Sequence, residues 1–166
     1  MWREPREGDT MQKGFSFVFD IGNVLFTHEL SRDGSGEEVI TFAPIEEGLI
    51  VLKECHAMSE RDSTLILACT NLKKYEIDLL KQLFPDTLSL FHGIVSPDVA
   101  LYKKPDTRMF QYLLSAYDLI PHQTVFFDDL IRNVEAARSV GMKGIHVEDS
   151  LLVRKALKQH IPTFEG

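Results

Sequence analysis

The chain has no basic run, no apolar stretch of membrane-spanning length and no paired-cysteine spacing, and each absence removes a class of function. Eighteen Lys and Arg against 25 Asp and Glu leave a net charge of −7. That balance argues against nucleic acid or an anionic membrane surface as the main partner. A small phosphate needs only one local pocket of positive charge and stays allowed. No apolar segment approaches the length of a helical span. Cys55 and Cys69 form no CxxC, and the six histidines include no HxH or HExxH, so a zinc site is not expected. With no signal-like apolar segment at the N-terminus, the cysteines fit a reducing, cytoplasmic setting. Internal repeats and low-complexity segments are also lacking.

What remains is an ordinary globular composition. An apolar share of 44% over 166 residues is enough for one substantial core. Residues 1–13 are polar and read as a loose leader, followed by a single domain over 14–166. The chain turns around the stretch Phe15-Ser-Phe-Val-Phe-Asp20-Ile-Gly-Asn-Val-Leu-Phe26. Its aromatic and β-branched residues suit a pleated strand, apolar on both faces and therefore buried from both sides. The run ends in Asp20, with Gly22 freeing the backbone beside it. Ligands of open α/β sheets sit beyond the carboxyl ends of strands, which makes Asp20 the first candidate for chemistry. On this stretch alone, an Asp that merely starts a turn is the plainer alternative.

Strand and helix patterns then alternate. Residues 27–43 carry the turn Asp33-Gly-Ser-Gly36 and read as a small hairpin flap. Pro44 opens a helical pattern with Ile45, Leu49 and Leu52. A buried strand over 64–70 follows, and Asn71 is placed to N-cap a helix carrying Leu72, Tyr75, Leu79, Leu80 and Leu83. Residues 88–95 give a third strand, Pro105-Asp-Thr a helix with Met109, Phe110, Leu113 and Leu114, and 124–129 a fourth strand. A helix over 131–140 ends at Gly141, a C-cap glycine, before a strand over 144–147 and a helix over 151–160. This order implies an α/β, three-layer Rossmann-like fold: a five-stranded, mostly parallel sheet covered on both faces.

Four strand ends carry polar groups: Asp20, Thr70-Asn71, the segment leading to Lys103-Lys104, and Asp128-Asp129. If the first and fourth strands are neighbours, three carboxylates converge, and such a cluster repels itself unless a cation sits in it. Oxygen ligands suit Mg²⁺, which shares its coordination with substrate phosphate. A nearby lysine would hold a phosphate oxygen, and Thr70 with the N–H groups at Asn71 could hold another. Acids, Mg²⁺, a lysine and a hydroxyl on one sheet edge point to phosphoryl transfer, with a carboxylate as the nucleophile. Asp20, ending the most buried strand, is best placed for that role.

These residues form a recognisable series. The chain resembles the haloacid dehalogenase superfamily through four motifs in order: Phe19-Asp20-Ile-Gly-Asn-Val-Leu25; the apolar run into Thr70-Asn71; Lys104-Pro105; and Val125-Phe-Phe-Asp128-Asp129 running on to Gly141-Met142. Its first motif is similar to the Asp-x-Gly-Asn-Val branch, which includes sugar-phosphate phosphatases such as α-D-glucose-1-phosphate phosphatase. The resemblance implies Asp20 as nucleophile and Mg²⁺ ligand, the Gly22 carbonyl and Asp129 as further ligands, and Asp128 acting through a metal-bound water. Thr70 and Lys104 would hold the phosphoryl oxygens, and Lys103 would be a solvated neighbour.

Two departures qualify what the resemblance implies. Many family phosphatases carry a general acid two residues after the nucleophile, where this chain has Gly22. Acid–base help is worth about 10²–10⁴-fold, so a slow phosphatase and a catalytically inactive binding or regulatory module are both admitted. His28 or Glu29 could substitute, but solvent exposure is the preferred reading of both. The second departure is the small cap, for only about twenty residues separate Gly22 from the Pro44 helix. An open site suits a bulky or macromolecular phosphoester, or a lid supplied by a second subunit in an oligomer. Arg108 is expected beside an acid near the site, and Cys69 to be inert packing.

Overall fold

The computed structural model describes residues 14–62, 64–148 and 150–161; the expected polar leader over 1–13 lies outside them. In chain order the strands are β1 (Ser16–Phe19), β2 (Phe26–Arg32), β3 (Glu38–Pro44), β4 (Ile66–Cys69), β5 (Gly93–Val95), β6 (Thr124–Asp128) and β7 (Lys143–His146). The helices are α1 (Glu46–Asp62), α2 (Lys74–Leu83), α3 (Pro85–Leu88), α4 (Pro97–Ala100), α5 (Thr107–Ala116), α6 (Ile131–Ser139) and α7 (Ser150–His160). Five parallel strands form one sheet in the order β5-β4-β1-β6-β7, and β2 and β3 form a separate antiparallel hairpin.

Alternation along β1 explains the two layers of helix. Phe17 and Phe19 point into a cluster with Leu52 of α1, Leu80 of α2 and Leu157 of α7. Val18 points the other way, into a cluster with Phe110 of α5, Phe126 of β6 and Ala137 of α6. All these side chains are fully buried, as a strand covered on both faces requires. The Phe19 and Phe127 rings stack at 4.5 Å between centroids across β1 and β6, a contact worth about 0.5–1.5 kcal/mol beyond its buried area.

Several local expectations give way to better-placed alternatives. Residues 88–95 are not all strand: Pro85 starts the short α3, and only Gly93–Val95 pairs with β4. Pro44 pairs with Phe26 at the end of the hairpin, and α1 begins at Glu46. Asn71 does not cap α2. Lys73 holds the N-cap position, and its N–H donates to the Glu76 carboxylate at 2.7 Å, a reach-back that satisfies an otherwise orphaned donor. The face α2 buries carries Glu76, Ile77 and Leu80, so Tyr75 and Leu83 lie outside the core, 56% and 53% exposed.

One close approach positions the loop after β1. A Cβ on Gly48 of α1 would lie 1.9 Å from the Val24 carbonyl oxygen, so only glycine lets the helix lie against that loop. The Ile45 N–H donates to the Leu25 carbonyl at 2.8 Å beside it.

Candidate active site

The parallel register brings the acids together. Phe19 is opposite Phe127 in the pairing of β1 with β6, and the next residue on each strand is an aspartate. The Asp20 N–H donates to the Phe127 carbonyl at 2.9 Å, which continues the ladder one residue past β1. Asp129 follows at once, and ligand oxygens of Asp20, Asp128 and Asp129 lie within 4.8 Å of one another. Asp128 is fully buried, Asp20 nearly so, and Asp129 partly.

Lys104 closes the cluster. Its Nζ is 2.8 Å from Asp20 Oδ1 and 2.7 Å from Asp128 Oδ2, with the side chain 1% exposed, and it lies 5.3 Å from the centroid of the Phe126 ring. Lys103 faces solvent. Burial pushes the Asp20 carboxyl up to about 7; the attraction of Lys104 opposes the shift, and repulsion from Asp128 and Asp129 adds to it. Burial and the neighbouring Asp128 likewise raise Asp129. For Lys104, burial works against the charge, but the attraction of Asp20 and its neighbours outweighs it and raises the pKa.

Supporting hydrogen bonds fix each group. Asp128 Oδ1 accepts from the Leu130 N–H at 2.9 Å, and its Oδ2 accepts from Asn133 Nδ2 at 3.0 Å. Asp20 Oδ1 accepts from the Ile21 N–H at 2.9 Å. Asn71 Nδ2 donates to the Lys104 carbonyl at 2.9 Å, while its Oδ1 accepts from the Lys104 N–H at 2.8 Å. The Asn71 side chain therefore holds the lysine's backbone, leaving its own N–H as the group available to an anion. Thr70 is buried beside it, and its hydroxyl oxygen accepts from the Leu72 N–H at 3.1 Å.

Asp20, Gly22, Thr70, Asn71, Lys104, Asp129 and Asn133 all line one open cleft of about 470 Å³. Two of the supporting roles are hard to read from the sequence. Asn133 is five residues beyond Asp128, a turn of helix away, and the spacing after an acid pair is a signal for it. The Asn71–Lys104 bond spans 33 residues and has no local signature. His28, expected to face solvent, keeps partial exposure but bonds through Nε2 to Glu76 at 2.8 Å and stacks on Phe42. Arg108 pairs with Asp106 at 2.7 Å and lies over the Tyr102 ring, exposed and not among the residues that line the cleft. Cys69 is fully buried, and burial pushes its thiol up to about 12, which leaves it inert.

The sequence model of the haloacid dehalogenase-like hydrolases matches residues 26–147, most of the chain. The chain belongs to this family. The matched span begins beyond Asp20, so the first acid rests on the geometry above. A sesquiterpene phosphatase of Aspergillus oryzae is 39% identical over 70 residues, which are 42% of this chain and 36% of the relative. The match thus spans about a third of that curated protein's length.

Solved structures share the fold. An uncharacterized protein of Corynebacterium glutamicum superposes with a TM-score of 0.67 at 18% identity, covering 91% of this chain and 96% of that one. An enzyme of the same family from Bacteroides thetaiotaomicron, solved with magnesium and inorganic phosphate, superposes with a TM-score of 0.65 at 13% identity, covering 82% and 96%. At these identities the likeness is one of architecture.

Proposed function

We propose that this protein is a Mg²⁺-dependent phosphoric monoester hydrolase that works through Asp20. The observation that carries the reading is the meeting of three carboxylates and one buried ammonium at a single sheet edge. Fully ionised, that set keeps an excess of two negative charges in a desolvated cleft, which a divalent cation would neutralise. The donors are all hard oxygens, as Mg²⁺ requires. Asn133 Oδ1, buried and without a hydrogen-bond partner among the described residues, offers one more. Asp20, Asp129 and the Gly22 carbonyl would hold the ion directly, and Asp128 through water. When bound, the ion offsets charge developing on the phosphoryl oxygens.

The rest of the chemistry belongs to the chain. Lys104, the Thr70 hydroxyl and the Asn71 N–H orient the phosphoryl oxygens. An Asp20 oxygen attacks phosphorus, the bond to the leaving oxygen breaks, and an aspartyl-phosphate forms. The leaving alkoxide takes its proton from solvent, since no acid occupies position 22. Water then attacks the same phosphorus, restores the Asp20 carboxylate and releases inorganic phosphate. Between β1 and β4 the hairpin β2–β3 is the main insertion, which supports an open, minimally capped site able to admit extended or bulky phosphoesters. The named activity of the Aspergillus relative supports the reaction class.

Hydrolysis of p-nitrophenyl phosphate that requires Mg²⁺ and is lost in Asp20→Asn is the expected result. Equal rates in the two proteins would remove Asp20 as nucleophile. Gly22 favours a second reading, a binding module without turnover. That reading predicts Mg²⁺ or phosphate-analogue binding at the same cleft with no phosphate released from any ester tried.

A further inference from the structure

We propose that the cleft takes phosphomonoesters whose leaving group is an apolar chain rather than a polyol. The inference rests on the phosphatase reading above and adds a substrate class to it. The floor of the cleft is charged, and its mouth sets apolar side chains beside the exposed Glu38 and Lys73. Leu30 of β2, Tyr75 of α2 and Leu130 after β6 all line it, and they are 60%, 56% and 42% exposed. A single exposed apolar side chain is unremarkable. Three from three separate elements, around one opening onto a nucleophile, make a surface that a hydrocarbon can cover.

His28, Asn71 and Glu76 at the mouth are already engaged within the protein, and the exposed Lys73 ammonium lies 5.9 Å from the centroid of the Tyr75 ring. His28 and the Lys73 N–H share the Glu76 carboxylate, one oxygen each, at 2.8 and 2.7 Å. The Asn71 amide is spent on the Lys104 backbone at both its atoms. Glu38 pairs with Arg32 at 3.7 Å near the tip of the flap. Sugar hydroxyls could pair with His28, Asn71 or Glu76 only by displacing part-buried bonds, and such a bond left unmade is costly, whereas the exposed Arg32–Glu38 pair resists little. An aliphatic chain displaces none of them. The hairpin directs it outward, because the cross-strand pairs of one face run from His28–Phe42 through Leu30–Ile40 to Arg32–Glu38. A chain leaving phosphorus therefore meets an apolar rung before the charged tip.

The test is a series of butyl, hexyl and octyl phosphate set against glycerol phosphate and glucose 6-phosphate, with p-nitrophenyl phosphate as the control for turnover. A methylene withdrawn completely from water is worth roughly a factor of four. Partial burial along the rim should raise kcat/KM at least about tenfold from butyl to octyl. The double variant Leu30→Gln, Leu130→Gln changes only exposed side chains and should flatten that rise. A series that is flat in the wild type, a preference for the polyol phosphates, or an unchanged rise in the double variant each overturns the inference. Failure to hydrolyse p-nitrophenyl phosphate would sink the phosphatase reading instead. In that event calorimetric binding of butyl-, hexyl- and octylphosphonate with Mg²⁺ decides the matter. Affinity that climbs with chain length supports the apolar mouth, and affinity that does not climb overturns it.

Discussion

At position 22 a hydrogen atom stands where many relatives of this fold carry a carboxylate, and the surroundings have room for more. A Cβ built there would lie 3.8 Å from the His28 Cβ, an ordinary contact, and Gly22 is not among the positive-φ residues. Nothing in the backbone demands glycine. Gly22→Asp should therefore fold and supply the missing acid, raising kcat for p-nitrophenyl phosphate or alkyl phosphates by up to about 10²-fold, the low end of general acid–base help. The gain should be larger for alkyl esters, whose leaving oxygens need a proton most. A variant that folds, binds Mg²⁺ and gains nothing would show that protonation of the leaving group does not limit the reaction. Asp20, Thr70, Lys104, Asp128 and Asp129 were all legible as candidates, because each stands where an apolar strand or a proline-marked loop meets a polar residue. The part played by Asn71 was not, because a helix N-cap and a clamp on a distant backbone use the same amide.

Among the elements, α1 and the hairpin both contact the loop that follows Asp20. The glycine at 48 lets α1 press on the loop that follows Asp20, so Gly48→Ala must push the Val24 carbonyl away. Overpacking of this kind costs about 1–3 kcal/mol, to be read from urea unfolding. The displaced loop also carries Gly22, so phosphatase activity should fall further than the lost stability explains. Equal stability and activity in wild type and variant would mean that helix and loop part at no cost. The strand pattern itself followed from alternation and from apolar runs bounded by acids, glycine or proline. Residues 88–95 misled because an apolar stretch of that length reads equally as a buried strand or as a helical turn leading into one. Pro85, fixed in φ and suited to a first helical position, decided for the turn.

For the molecule as a whole, the acid cluster couples stability to pH and to the metal. In the unfolded chain Asp20 titrates near its ordinary 3.8, and in the metal-free folded chain near 7. Between those values the folded state holds a proton that the unfolded state has released. Stability of the metal-free protein therefore falls as pH rises from about 4 to about 7, and the raised Asp129 carboxyl works in the same direction. At the proposed site Mg²⁺ would bind the ionised carboxylates, so its stabilisation should grow across the same window, reaching about 2.7 kcal/mol at a hundred times its Kd. Urea midpoints at pH 5 and pH 7, with and without Mg²⁺, measure both effects. Asp20→Asn should lose most of the pH-dependent fall, and a midpoint that instead rises with pH in the metal-free wild type would contradict the cluster's electrostatics.

The sequence by itself determined the layered α/β architecture, the flap and the polar strand ends, because apolar periodicity and turn chemistry are local properties. Only the tertiary structure decided that Lys104 Nζ bridges Asp20 and Asp128, that the Asn71 side chain holds the lysine's backbone, and that Leu30, Tyr75 and Leu130 line the cleft. Those are contacts between elements far apart in the chain, fixed by sheet register and helix placement, which no local pattern encodes.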